Sequence, residues 1–163
     1  MTEGAKNLRA EVELDEIDAK IVEELQLNGR ITNAELAERV GVAASTCIAR
    51  VRSLVSRRII TGFTANVDPR AIGLDLQVLV SVTVRSGARQ RIVELSDELR
   101  LLPEVLQLFF LGGVEDFIIH LAARDSDHVR DFVIEHLSAH PAVSSTRTSI
   151  VFSHHQNPVR VER

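Results

Sequence analysis

The residues best suited to chemistry lie between Ser45 and Arg58. Ser45, Thr46, Ala49, Arg52, Ser53 and Ser56 fall on one side of a helical projection, with Arg50 and Arg57 on its flanks. From Arg39 to Asn66 there are five arginines (Arg39, Arg50, Arg52, Arg57, Arg58) and no Asp or Glu. Small, hydroxylated residues permit close approach to a duplex, and arginine makes paired hydrogen bonds to guanine or to phosphate. This is the chemistry of a recognition helix lying in the major groove. Ser45, Thr46, Ala49, Arg52 and Ser53 are expected to meet bases, and Arg50, Arg57 and Arg58 to hold phosphates. The bland alternative is a solvated surface helix, but such helices usually mix both charge signs.

The elements that must position this face can be read on either side of it. Cys47, Ile48, Val51, Leu54 and Val55 recur at helical spacing on the opposite side, so a helix is expected over about 44–58. Gly41 precedes it and can take the positive φ of a tight turn, with Val42 as the buried plug. Thr32 is a good N-cap for the helix before the turn. Glu35 completes a capping box, and Ile31 and Leu36 form a hydrophobic staple. Asp15 can cap a first helix to about Leu27, with Ile17, Ile21, Val22 and Leu25 inward. Residues 59–67 are β-branched and aromatic and are expected to be extended. A turn at Asp68-Pro69 and a short helical turn over 70–73 follow.

The second half changes period. Leu76, Val78, Val80, Val82 and Val84 alternate with Gln77, Leu79, Ser81 and Thr83, the pattern of a half-buried strand. A helix is expected over 88–102 (Ile92, Leu95, Leu99 and Leu102 inward), then a strand over 105–111. A loop at 112–115, a strand over 116–123, a helix to about 138 and a last strand over 143–152 complete the order. That order is β-α-β-β-α-β, a ferredoxin-like split unit with two helices on one face of an antiparallel sheet. Its third and fourth segments read as apolar on both sides. Leu106, Leu108 and Phe110 oppose Val105, Phe109 and Leu111, while Ile118 and Ala122 oppose Phe117, Ile119 and Leu121. Helices cover one face only, so the other is expected to be buried against a second copy. A symmetric dimer would place two recognition helices roughly 34 Å apart.

Composition limits the function classes. The 163 residues suffice for one large or two small cores, and the net charge of −4 is not that of a general polyanion binder. The charge is uneven: residues 11–38 hold nine acids against Lys20 and Arg30, ahead of the acid-free segment. One cysteine excludes an internal disulfide, and Cys47 lies on an apolar helix face, where a small buried side chain is expected. With no leader and no long apolar run, a soluble cytoplasmic chain with no membrane contact is expected. No phosphate loop, Ser/His/Asp set or dinucleotide fingerprint is present, so no cofactor and no enzymatic role are expected. His136 and His140 are spaced for a metal but lack a carboxylate or cysteine partner, so no metal is expected. His154 and His155 belong to a flexible end. His120 reads as a satisfied interface histidine.

The element order and local sequence together resemble the Lrp/AsnC transcriptional regulators. Leu14-Asp15-Glu16-Ile17-Asp18, followed by Ile21 and Leu25, is similar to that family's L-D-x-I-D-x-x-I-x-x-x-L opening. Asn28-Gly29-Arg30, Leu36-Ala37, Val40-Gly41 and Arg50-Val51-Arg52-x-Leu54 continue the likeness, as do Ile59-Ile60-x-Gly62-Phe63, Pro141-x-Val143 and Thr146-x-Thr148. The match covers about residues 14–152. It implies an α+β chain, with an N-terminal winged helix-turn-helix followed by a ferredoxin-like effector and oligomerisation domain. The corresponding division is an arm (1–13), a DNA-binding domain (14–60), a linker strand and hinge (61–74), the ferredoxin-like domain (75–153) and a tail (154–163).

The resemblance also implies dimers that assemble further, an octamer built as a tetramer of dimers being expected. It further implies a free amino acid bound at the seam between dimers, regulating genes of amino-acid metabolism. The pocket includes the glycine loop after the second strand of the second domain: Leu111, Gly112, Gly113, Val114, Glu115 and Asp116. Glycine lets backbone amides approach a carboxylate, and Asp116 is placed to take the ammonium. Glu115 stands where the family often has an aromatic residue. Two alternative functions are compatible with the sequence. One is a sirohaem-type tetrapyrrole decarboxylase on the same fold, for which His120, His128 and Arg124 would supply side chains. The other is an effector-independent protein that coats DNA.

Overall fold

A computed structural model describes residues 14–160; the expected arm over 1–13 lies outside the described residues. The chain divides into two compact units. One comprises residues up to 65 together with those from 156 onward, and the other comprises 66–155.

The first unit is three helices, α1 (Glu16–Leu27), α2 (Asn33–Val40) and α3 (Ala44–Ser56). The Asp15 carboxylate accepts from the Asp18 amide at 2.8 Å and starts α1. Thr32 Oγ1 accepts from the Glu35 amide at 3.2 Å and starts α2. The expected capping box is made only in this half, because the Glu35 carboxylate turns to Arg39 instead, at 2.7 Å. Gly41 closes α2 with φ 75°, which lets the Val42 amide reach back to the Ala37 carbonyl at 3.0 Å. Asn33 then donates to the Ala44 carbonyl at 3.0 Å, tying the start of α2 to the start of α3.

Ile21, Leu36, Ala37, Val40, Cys47 and Leu54 form the core of this unit, and Ile17, Ile31, Val42, Val51, Ile59 and Ile60 pack around it. Ile48 and Val55, expected inward on α3, are instead 38% and 43% exposed. The stripe is wider than the two facing helices can cover. α3 ends two residues before its expected limit. Arg58 takes φ 56°, and the Ile59 and Ile60 amides both return to the Leu54 carbonyl at 2.9 and 3.2 Å. This folds the two isoleucines under the core. The expected extended strand, and with it the wing, does not form. Residues 61–68 are exposed, and no described residue of this unit is in a strand. Without a neighbouring edge to pair with, β-branched residues alone do not make a ladder.

The second unit holds one sheet in the order β2-β3-β1-β4, every neighbouring pair antiparallel. Its strands are β1 (Leu76–Val84), β2 (Val105–Phe110), β3 (Phe117–Ala123) and β4 (Val143–Ile150). α4 (Ile92–Leu99) and α5 (Ser126–Phe132) cover one face. There Val78, Val80 and Val82 meet Phe117, Ile119, Leu121, Leu95, Leu99, Phe132 and Leu137. The helix expected over 88–102 begins as a 3-10 turn through Ser86–Arg91, and α5 runs on as a π-helical segment over Val133–Ser138.

Registry corrects the expected faces of β2. An irregularity between Val105 and Gln107 lets Val105 oppose Leu121 while Leu108 opposes Ile119. Val105, Leu108 and Phe110 therefore share the helix-covered side, and Leu106 is the extra residue of a bulge. The other sheet face carries Gln77, Leu79, Ser81 and Thr83 from β1, Phe109 from β2, Ile118, His120 and Ala122 from β3, and Ser145, Arg147 and Ser149 from β4.

Candidate nucleic-acid interface and ligand loop

The outer face of α3 follows from its packing. Cys47 and Leu54 are fully buried and fix the rotation of the helix. Ser45, Thr46, Ala49, Arg52 and Ser53 consequently all stand exposed on the other side, as do Arg57 and Arg58 beyond the last turn. Arg52 has no hydrogen-bond or ion-pair partner among the described residues. A cationic fork beside three small hydroxylated positions is therefore presented outward.

Arg50 is engaged differently. Its Nη1 lies 2.5 Å from Asp15 Oδ2 and 2.8 Å from Asp18 Oδ1, so it turns toward α1. Asp18 is one of the few buried charged residues, 7% exposed, and Arg57 approaches its other oxygen at 3.6 Å. The amide of Asp18, followed by Arg50, holds the Asp15 carboxyl below the usual carboxylate range. Those two carboxylates in turn raise the Arg50 guanidinium. The arginine expected to grip phosphate thus clamps α3 to α1. Burial pushes the Cys47 thiol up, which suits an inert core position.

The glycine loop joins β2 to β3. Gly112, Gly113 and Val114 are exposed, and Leu111, Glu115 and Asp116 are partly buried. Asp116 is bound into the fold at three points. Its Oδ2 accepts from the Val84 amide at 2.7 Å, its own amide donates to the Val82 carbonyl at 2.9 Å, and its carbonyl accepts from the Leu111 amide at 2.8 Å. One oxygen of the carboxylate expected to take an ammonium therefore already accepts from a backbone amide. Glu115 is ion-paired to Arg147 of β4. Arg147 belongs to no motif, and its one signal in the sequence is an isolated cation among the hydroxyls of S-S-T-R-T-S.

The histidines are dispersed. His120 Nε2 donates to Gln77 Oε1 at 3.0 Å on the uncovered sheet face, and the His154 ring packs edge-on at 5.5 Å. Burial, followed by His154, lowers the His120 pKa. His128 accepts from the Arg124 amide at 3.3 Å and lies 3.4 Å from Glu104. His136 packs on Phe132 at 5.0 Å, and His140 accepts from the Ala142 amide at 3.2 Å. No metal-suited group of three or more ligating side chains occurs among the described residues. No helix of the described residues is long and apolar enough to cross a membrane.

The tail does not trail away from the first unit. The Gln26 side chain donates to the Val159 carbonyl at 2.9 Å and accepts from the Val159 amide at 2.7 Å. Pro158, Val159 and Arg160 line a groove with Glu23, Gln26 and Leu27 of α1.

Two family profiles match the chain. One, described as an AsnC-type helix-turn-helix domain, covers residues 14–55, and the other, an Lrp/AsnC ligand-binding domain, covers residues 77–159. The chain is 45% identical over 149 residues to the HTH-type transcriptional regulator AldR of Mycolicibacterium smegmatis, covering 91% of this chain and 86% of that protein. It is 36% identical over 151 residues to the leucine-responsive regulatory protein of Rhizobium meliloti, covering 93% and 97%. Among solved structures it is similar to a Neisseria meningitidis transcriptional regulator in complex with L-methionine. There the TM-score is 0.83 at 31% identity, over 92% of this chain and 97% of the other.

Proposed function

Because this chain belongs to the Lrp/AsnC family of transcriptional regulators, we propose that α3 reads a specific operator and that a free amino acid bound at the 111–116 loop modulates that binding. The observation that carries the first part is the acid-free outer face of α3, with Arg52 unpaired among the described residues beside Ser45, Thr46, Ala49 and Ser53. Arg52 supplies a two-pronged donor to guanine, the hydroxyls supply shorter contacts, and Arg57 and Arg58 supply phosphate contacts. Arg50 acts from within, by holding the angle between α1 and α3.

The second part is supported by the ligand-binding description of the second profile and by a solved relative that carries L-methionine. Two chains pair through the uncovered sheet face, where Phe109 is 46% exposed, and pairs assemble further, an octamer being the proposed assembly. An effector then acts by binding two states of the assembly unequally.

Fluorescence anisotropy on DNA taken from upstream of the gene tests this reading. A salt series and each standard amino acid are the variables. The expected result is binding that falls steeply with salt, exceeds that to scrambled DNA and shifts with at least one amino acid. Equal affinity for scrambled DNA would overturn operator reading. An absence of response to every amino acid would overturn the effector.

A further inference from the structure

α3 ends in a cap closed by paired backbone hydrogen bonds. The Arg58 amide donates to the Val55 carbonyl at 3.0 Å, and the Ile59 amide donates to the Leu54 carbonyl at 2.9 Å. Leu54 is fully buried and Ile59 packs on the same core, so the reversal is fixed from within. The residue that makes such a turn must enter the left-handed region, and Arg58 does so with φ 56°. It is the one non-glycine residue with positive φ among the described residues.

Two other segments end by the same device, α2 at Gly41 and the 3-10 turn Pro69–Ile72 at Gly73. At both glycines an added Cβ would meet nothing within 4 Å, so glycine stands there for its φ and not for space. In the left-handed region an L side chain brings its Cβ against the following carbonyl oxygen, and a long side chain is uncommon there. The turn after α3 would therefore be more stable with glycine, and the fold alone gives no reason for arginine.

What arginine adds is a charge at a particular place. The last turn of α3 holds no basic residue. Its free carbonyls carry the partial negative charge of a helix C-terminus, which repels a phosphate. Arg57, the next residue, leans toward Asp18 at 3.6 Å. The Arg58 side chain is exposed, with no hydrogen-bond or ion-pair partner among the described residues. We propose that Arg58 is the phosphate anchor of the recognition helix, and that the chain holds it in a left-handed conformation which glycine would adopt with less strain. This assignment rests on α3 being the helix that meets DNA. One residue then has two tasks that pull apart: its backbone closes the helix and its side chain binds the duplex. Stability and DNA affinity are opposed at this position.

Three substitutions in the full chain separate backbone from side chain. Each is read by thermal melting, followed through helical circular dichroism, and by fluorescence anisotropy over a salt series on upstream and scrambled DNA. Arg58→Gly removes both the strain and the charge. Its melting midpoint should rise by about 2–6 °C. Its DNA affinity should fall about fivefold to tenfold at about 0.1 M salt, with a salt slope shallower by about one, on both DNAs alike. Arg58→Ala removes the charge and keeps the Cβ, so it should bind as weakly as Arg58→Gly without the higher midpoint. Arg58→Lys keeps the charge and should retain the salt slope of the wild type. Wild-type affinity in Arg58→Gly would overturn the proposal. So would a lower midpoint in Arg58→Gly, which would assign the arginine to the fold, or a loss confined to the upstream DNA, which would assign it to a base. Each of these results, with a wild-type chain that binds DNA, leaves α3 as the reading helix. A wild-type chain that binds neither DNA would overturn the proposal and the reading of α3 together.

Discussion

Arg50 and Arg52 are two positions apart on α3, and their substitution should produce different losses. Arg50 spans to Asp15 and Asp18, and Asp18 is buried. Arg50→Ala should therefore cost about 1–2 kcal/mol of stability, read as a lower midpoint in thermal melts of the N-terminal unit. Any fall in DNA affinity should disappear at temperatures where the variant is folded. Arg52→Ala should leave the melt unchanged and cost about 1–3 kcal/mol of operator binding if it reads a guanine. The loss should be concentrated on one base pair in a panel of operator variants, and a uniform loss across the panel would assign Arg52 to phosphate instead. The sequence showed both residues as basic and helical. It could not show which was engaged, because the partners of Arg50 lie 32 and 35 positions away. The pairing of Glu115 with Arg147 was hidden for the same reason, whereas the composition of the outer face, being local to one helix, was legible.

At the level of elements, legibility followed the range of the signal. Asp15, Thr32 and Gly41 act within a few residues of themselves, and the helix limits they set were readable to the residue. The bulge at Leu106 was not, since one extra residue inverts the alternation from which a face is inferred. Nor was the failure of 59–67 to form a strand, which depends on an edge elsewhere in the fold. β3 supports a prediction on pH. His120 is 5% exposed, and its pKa is lowered from 6.5 by burial and then by His154. An unfolded chain takes up the proton near 6.5, while the folded chain takes it up only at lower pH. Protonation therefore favours unfolding. The stability that neutral His120 permits is complete above that value and declines as pH falls below it. Thermal melts of wild type and His120→Gln between about pH 7.5 and about pH 5 should diverge, with the wild type losing more. Parallel curves would show that His120 does not titrate on unfolding.

For the whole molecule, association is the first consequence to check. Phe109 and Leu79 lie on the sheet face that α4 and α5 leave uncovered. Phe109→Asp should shift the chain toward monomer in light scattering at micromolar concentration while leaving the circular dichroism of the fold intact. An unchanged mass would move the interface elsewhere. The tail is the second. Truncation after His155 removes both hydrogen bonds to Gln26. The Gln26 side-chain amide resonances should then shift in 1H–15N spectra, and unchanged resonances would mean that the tail does not dock on α1.

Backbone passes between the two units twice, at 65–66 and again at 155–156, and the second passage is fastened to α1 through Gln26. Both hydrogen bonds of Gln26 grip main chain, so this fastening is indifferent to which side chain stands at 159.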